Sequence, residues 1–235
     1  MSFTLANWQR LWDELGAVQA NGGLMNQLVA AWGERHRQYH TLQHLRECLA
    51  HFEAASMLAR RPAEVELAIW FHDAVYDPRR DDNEERSADW ARDSVRAAGC
   101  DEQVAERVHA LVMATKSHAV EGDEPDARLL VDIDLAILGS APARFDEYER
   151  QVRREYGHVS DEAWREGRAK LLQSFLARPR IYSTDAYRDA LEARARENLT
   201  RSLVAIDDPS SPQRWGPSAS AFGAGGSTAF PPSRE

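Results

Sequence analysis

The sequence predicts an all-α protein. Between Phe3 and about Asp207, apolar residues recur at the three- and four-residue spacing of amphipathic helices, and short polar or Pro/Gly segments separate these runs. Alternating, β-branched-rich runs typical of strands are almost absent. At 235 residues the chain is long enough to bury a large core and could form one large domain or two small ones; we expect one helical domain over residues 1–206.

Apolar spacing and proline define the helices of the N-terminal half. The third helical segment carries an apolar stripe on one face, formed by Leu45, Cys48, Leu49 and Phe52. Pro62 suits the first turn of the next helix, and the end of that helix, Ala68 to Phe71, is apolar all round. We therefore expect this fourth helix to be buried.

The remaining helices follow from the same periodicity. Six are predicted: Asn83 to Ala98, Glu102 to Ser117, Pro125 to Leu138, Ala143 to Tyr156, Glu162 to Leu176 and Asp185 to Ile206. Gly139 is the predicted C-cap of the third of these. From Asp207 to Glu235 the periodicity is lost, and Gly, Pro and Ser supply 15 of the 29 residues. This composition predicts a disordered tail.

Charge and composition restrict the partners. The formal net charge of -9 argues against broad nucleic-acid binding, which needs a basic surface. No apolar run approaches the ~20 residues that cross a bilayer, and the N-terminus lacks a secretory signal, so we predict a cytoplasmic protein without a membrane partner. Cys48 and Cys100 are far apart and are predicted to be reduced packing residues.

The dipeptide His72-Asp73 directly follows the apolar stretch that ends at Phe71. Both side chains are therefore expected at the buried end of a core helix. A buried carboxylate without a partner loses several kcal/mol of solvation, and a bound cation removes that cost. The dipeptide alone is a weak signal, but its context strengthens the prediction of a metal site.

Two further segments supply metal-ligand residue types. In YHTLQH, His40 and His44 lie four residues apart and share a face if the helix extends that far back. His44 is the preferred first ligand, and His40 is either the alternate ligand or a locally hydrogen-bonded residue. In LLVDIDLAILG, Asp132 and Asp134 project about 200° apart on a helix, so one ligates while the other caps or supports. Both acids could instead be solvated at a helix edge.

The order His, His-Asp, Asp resembles the metal-binding signature of the HD superfamily. More narrowly, a set of short motifs resembles a bacterial group of predicted metal-dependent phosphohydrolases: RQYHTLQH, FHDAVYD, DNEERSA, TKSH, DIDLAILG, EYGHV, WREGR, IY and ARENL. The resemblance spans about Leu5 to Leu203. It implies a divalent metal held by His44, His72, Asp73 and Asp134, with Asp132 supporting the site.

The resemblance also implies a chemistry. Two imidazoles and two carboxylates leave open positions for water and substrate on Mn, Fe, Co, Ni or Mg. We expect hydrolysis of a phosphorylated small molecule, with nucleotides a reasonable first class, although the sequence specifies neither the substrate nor the oligomeric state. Asp73 would ligate the metal and also orient the attacking water.

One position departs from the family pattern. Some HD phosphatases carry Glu three residues after the HD aspartate, where this chain has Tyr76. The acid's role could pass to Asp77, Glu84 or Glu85, or Tyr76 could itself contact the phosphate. Each of these acids could equally be a solvated surface carboxylate, and the sequence does not decide among them.

Basic residues within the motifs are candidates for binding the phosphate group of a substrate. Arg37, Lys116 and Arg168 are predicted to take part in catalysis or substrate binding, and His118 to bind substrate or complete a second metal position. Lys116 could instead interact favourably with the helix dipole at the C-terminus of its helix, and Arg168 could pair with a nearby acid. Trp164 and Tyr182 are predicted to lie in the core or in a pocket wall.

Two other functions fit the same residues. One is an HD-type di-iron oxygenase, which would need two further histidines close to His72 and Asp73. The other is a nucleotide sensor that binds without turnover, against which the completeness of the ligand set argues. Metal content, oxygen uptake and phosphatase turnover distinguish the three.

Overall fold

The computed structural model describes residues 3–19, 21–120 and 122–207, and all regular structure there is helical. The prediction of an all-α fold is confirmed. None of the helices in these ranges combines the length and apolar character needed to cross a bilayer. The predicted disordered tail lies outside the described residues, except that Asp207 ends the last helix.

The described chain divides into two compact units, with the boundary between Asp134 and Leu135. The single domain predicted over residues 1–206 therefore stays a prediction. Seven α-helices are described in the first unit: α1 (Leu5–Glu14), α2 (Gly22–Trp32), α3 (Leu42–Ala55), α4 (Pro62–Phe71), α5 (Asn83–Ala97), α6 (Glu102–Ser117) and α7 (Pro125–Asp134). Three are described in the second: α8 (Pro142–Glu155), α9 (Asp161–Ala177) and α10 (Asp185–Asp207).

Helix α4 is the centre of the first unit. It begins at Pro62, as predicted, and packs against α1, α3, α5, α6 and α7. Two of its glutamates are buried, and each is paired: Glu64 accepts two hydrogen bonds from Arg107, and Glu66 accepts two from Arg10. Because every side of α4 is covered, the turn that follows it is held within the protein interior.

The predicted helix from Pro125 to Leu138 is shorter than expected. Helix α7 ends at Asp134, and the chain continues as a 3-10 helix over Leu135–Gly139. The prediction of Gly139 as a C-cap is wrong. Gly139 is the last residue of the 3-10 helix, and it does not have the positive φ angle of a glycine C-cap. A Cβ at Gly139 would lie 2.7 Å from the Leu191 Cβ, so glycine is required by close packing against α10.

A buried ion pair joins α8 and α9 in the second unit. The Arg168 guanidinium pairs with Glu149 and donates to the Tyr148 hydroxyl at 2.9 Å. Ser202 donates to the other Glu149 oxygen at 2.7 Å. Arg168 is 3% exposed and therefore has a structural role in this unit. Its predicted contact with substrate stays a prediction.

Replacing Arg168 with alanine should lower the free energy of unfolding by about 3–5 kcal/mol, because the Glu149 carboxylate would lose its charged partner while remaining buried. Urea denaturation measures this loss. Lys170→Ala is the matched control, since Lys170 pairs with Glu166 on the exposed face of the same helix and should cost at most about 0.5 kcal/mol. Equal losses in the two variants would show that the pair does not stabilise this unit.

Candidate metal centre

Four side chains of the first unit meet in one buried cluster, which we call the metal centre: His44, Cys48, His72 and Asp134. Their donor atoms all lie within 4.8 Å of one another. The His44 Nε2 atom is 3.2 Å from the His72 Nε2 atom and 3.1 Å from an Asp134 carboxylate oxygen. Imidazole nitrogen, carboxylate oxygen and sulfur are metal-binding groups, so this cluster can hold a metal ion.

Asp73 lies at the edge of the metal centre. Its Oδ2 atom is 3.2 Å from the Nε2 atom of His72 and 3.8 Å from that of His44. The structure thus brings together all four side chains predicted as ligands, His44, His72, Asp73 and Asp134. They come from three places: helix α3, the turn after α4 and the end of α7.

Hydrogen bonds behind the imidazoles orient their Nε2 atoms towards the cluster. The His72 Nδ1 atom lies 2.8 Å from the carbonyl oxygen of Ile69. Since a carbonyl only accepts, Nδ1 carries a proton and Nε2 is the nitrogen left for a metal. The Tyr39 hydroxyl oxygen lies 3.1 Å from Nδ1 of His44. When this oxygen accepts a hydrogen bond from Nδ1, the proton of His44 is on Nδ1 and Nε2 is the nitrogen left for a metal, as in His72. Tyr39 was not among the residues predicted for the site.

Arg37 fixes the turn that carries Asp73. Its guanidinium donates to the carbonyl oxygens of Asp73 at 2.6 Å and Ala74 at 2.9 Å, and also pairs with Glu34. The residue is 3% exposed. Its donors are directed at main-chain oxygens of the turn after α4, so Arg37 has a structural role there, and its predicted contact with substrate stays a prediction.

His118 extends the cluster on the side of Asp134. Its Nε2 atom is 2.9 Å from the second Asp134 oxygen, while His44 contacts the first. The residue caps α6 in a left-handed conformation, with φ 49° and ψ 31°. A non-glycine residue in this region costs about 1–3 kcal/mol, and such strain is concentrated at functional sites. At the predicted second metal position, the His118 imidazole therefore lies beside the Asp134 carboxylate, which also contacts His44.

His40 lies outside the helix that carries His44. Helix α3 begins at Leu42 with Thr41 as its N-cap, so the two histidines do not share a helical face as predicted. The His40 Nε2 atom is 4.0 Å from Asp73 Oδ2, and its ring stacks on Tyr76 with centroids 4.1 Å apart. His40 therefore flanks the metal centre beside Asp73 instead of pairing with His44.

Other residues predicted to catalyse or to support the site contact partners of their own. Glu84 and Asp132 are buried, which excludes solvated surface positions for both. Asp77 is partly buried, and its carboxylate accepts from the Arg79 main chain at 3.0 Å, so it stabilises the loop before α5. Lys116 pairs with Glu85 and donates to the Asp81 carbonyl oxygen at 3.1 Å.

Cys48 is more than the packing residue that its spacing predicted. It is buried one turn after His44 on α3, with its sulfur 3.7 Å from the His44 Nε2 atom. Burial raises the pKa of its thiol well above the ordinary value, so the thiol is neutral without a metal. The four-residue spacing from His44 was the sequence signal for this donor.

Burial and the two carboxylates set the protonation of the metal-free centre. Burial lowers the pKa of His44. Burial alone would also lower the pKa of His72, but Asp73 and Asp134 raise it well above its ordinary value. His118, His44 and His72 hold the pKa of Asp134 well below its usual range despite burial, and His72 and His40 lower the pKa of Asp73. His72 therefore carries the positive charge that a metal ion would replace.

Comparison of the chain with models of known protein families, with curated proteins and with solved structures finds no significant match.

Tyr39→Phe should weaken metal binding by about 10–100-fold, because His44 loses the partner of its Nδ1 atom. Competition with a chromogenic chelator measures the dissociation constant. Tyr187→Phe is the control, since Tyr187 is a buried tyrosine of the second unit. Unchanged affinity in Tyr39→Phe would show that the hydroxyl does not position His44.

Metal affinity should rise with pH. A metal ion must displace the proton that His72 holds, so binding releases a proton below the raised pKa of His72 and ceases to do so above it. One coupled proton gives about a tenfold gain in affinity per pH unit in the lower range. Calorimetric titration with Mn²⁺ at neutral pH, in buffers of different ionisation enthalpy, counts the protons. Binding without proton release would contradict the protonation of His72.

Proposed function

We propose that the protein is a cytoplasmic metal-dependent phosphohydrolase of the HD type, acting on phosphorylated small molecules such as nucleotides. The observation that carries the proposal is the meeting of His44, His72, Asp73 and Asp134 around one point in the interior of the first unit. These are the residues that the HD resemblance assigns to the metal, and they come from three separate stretches of the chain.

The donor set fits a divalent ion. Two imidazoles have Nε2 atoms directed at the cluster, and two carboxylates with lowered pKa values supply negative charge. These four ligands leave positions for water and substrate on an octahedral ion. A divalent ion bound here would supply Lewis acidity to a phosphoryl oxygen and to the attacking water.

Residues around the metal centre supply the other groups that the hydrolysis needs. Asp73, 6% exposed, orients the attacking water and accepts its proton. His118 holds the second oxygen of Asp134 and binds the phosphoryl group as that contact opens. Lys116 on the same helix end supplies positive charge to the substrate. Asp77 or Glu84 is the candidate donor of a proton to the leaving oxygen.

A di-iron oxygenase is the second candidate, and a specific contact favours it. That chemistry needs two further histidines near the HD pair. His118 lies 2.9 Å from Asp134, and His40 lies 4.0 Å from Asp73, so an imidazole flanks each carboxylate. Iron-loaded protein that consumes dioxygen, without turnover of phosphate esters, would support this candidate over hydrolysis.

Asp73→Ala should abolish Mn²⁺-dependent phosphatase activity. We expect kcat/KM on a general phosphate-ester substrate to fall by more than about 100-fold, because a metal ligand contributes more than the groups that support it. Asp89→Ala is the matched control, since Asp89 is an exposed acid of α5 and should retain activity.

Circular dichroism of both variants shows whether the fold is kept. Substantial phosphatase activity in a folded Asp73→Ala protein would exclude this site. An inactive wild-type protein that binds Mn²⁺, across phosphomonoester and phosphodiester substrates, would instead favour a sensor.

A further inference from the structure

The metal centre contains a thiol that hydrolysis does not use. The Cys48 sulfur lies 3.6 Å from the Nδ1 atom and 3.7 Å from the Nε2 atom of His44. This sulfur and the donor atoms of His44, His72 and Asp134 all lie within 4.8 Å of one another. Cys48 is 2% exposed. The buried sulfur thus belongs to the same group of donors as three of the proposed ligands.

The separations of these donors from His44 are close to those of a tetrahedral site. Metal–nitrogen bonds of about 2.0–2.1 Å and metal–sulfur bonds of about 2.3 Å place neighbouring tetrahedral ligands roughly 3.3–3.6 Å apart. The observed separations from His44 are 3.2 Å to His72, 3.1 Å to Asp134 and 3.7 Å to Cys48. The Cys48 sulfur is almost equally far from both ring nitrogens of His44, so its side chain must rotate towards the Nε2 atoms to close one sulfur, two nitrogens and one oxygen around an ion.

We propose that the metal centre has two alternative fourth ligands, Asp73 for hard ions such as Mn²⁺ and Cys48 for thiophilic ions such as Zn²⁺ and Cd²⁺. His44, His72 and Asp134 are common to both sets. The inference rests on the proposed metal centre and adds a metal-dependent regulation to it. A four-coordinate thiolate site is closed, whereas a catalytic site keeps open positions. Thiophilic ions therefore act as inhibitors.

Binding of a thiophilic ion is a ligand exchange. The S–H bond of Cys48 breaks, its proton leaves to solvent, and the sulfur lone pair forms the bond to the ion. Soft thiolate ligands favour Zn²⁺ and Cd²⁺ and have little affinity for Mn²⁺ or Mg²⁺, whereas carboxylates favour the hard ions. The choice between Cys48 and Asp73 therefore follows from the identity of the ion.

Reciprocal variants test the proposal by metal binding alone. In Cys48→Ser we expect Cd²⁺ affinity to fall at least tenfold and Mn²⁺ affinity to stay within about threefold. In Asp73→Asn we expect the larger loss for Mn²⁺. Cys100→Ser is the matched control, because Cys100 is the second free cysteine and lies outside the metal centre. Competition with a chelator gives the affinities, and circular dichroism verifies folding.

Ultraviolet absorption of the Cd²⁺-loaded protein provides a direct readout of the sulfur bond. The wild type and Cys100→Ser should show a sulfur-to-cadmium charge-transfer band that is absent in Cys48→Ser and Cys48→Ala. A wild type without the band, or a band that survives both Cys48 variants, would overturn the proposal. These measurements need no substrate, so a protein that shows the band with Cd²⁺ but has no phosphatase activity with Mn²⁺ would refute hydrolysis and leave this inference intact.

Discussion

Two carboxylates buried beside two imidazoles impose the main constraint on the first unit. Asp73 is 6% exposed and the Asp134 side chain is 14% exposed, so both carboxylates are largely screened from bulk water. Burying such charges is unfavourable by several kcal/mol unless positive charge compensates them. In the metal-free protein His72 provides part of that compensation, and a divalent ion would provide more.

The surrounding structure serves to hold these groups in place. Helix α4 is covered on all sides, so the turn after it can present His72 and Asp73 in the interior. Arg37 binds the carbonyl oxygens of that turn, the Ile69 carbonyl fixes the tautomer of His72, and the Tyr39 hydroxyl contacts Nδ1 of His44. The ends of α6 and α7 then bring His118 and Asp134 to the same point. Preorganisation of this kind lets an ion bind without rearranging the fold.

Periodicity predicted the helices well because each apolar face must be buried. Helix α6 has the predicted bounds, and α5 differs by one residue at its end. The early end of α7 was missed, since its apolar run continues to Leu138 and only tertiary packing determines where the helix tightens. Gly139 failed as a C-cap for a similar reason: the close approach of Leu191 comes from α10, which is distant in sequence.

The candidate site was predicted where residue type and order carried the information. His44, His72, Asp73 and Asp134 meet as expected, whereas Arg37 proved to bind main-chain oxygens. An arginine in a motif looks the same whether it binds a phosphate or a carbonyl, so sequence could not separate the two. Cys48 was assigned to packing because its apolar face explained it, although its spacing from His44 also fits a shared ion.

Anomalous diffraction from crystals grown with Mn²⁺ would locate the bound ion. We expect a strong manganese peak within bonding distance of the Nε2 atoms of His44 and His72 and of carboxylate oxygens from Asp73 and Asp134. A map with full metal occupancy elsewhere, and His72 still paired to both carboxylates without an ion, would show that these residues do not form a metal centre.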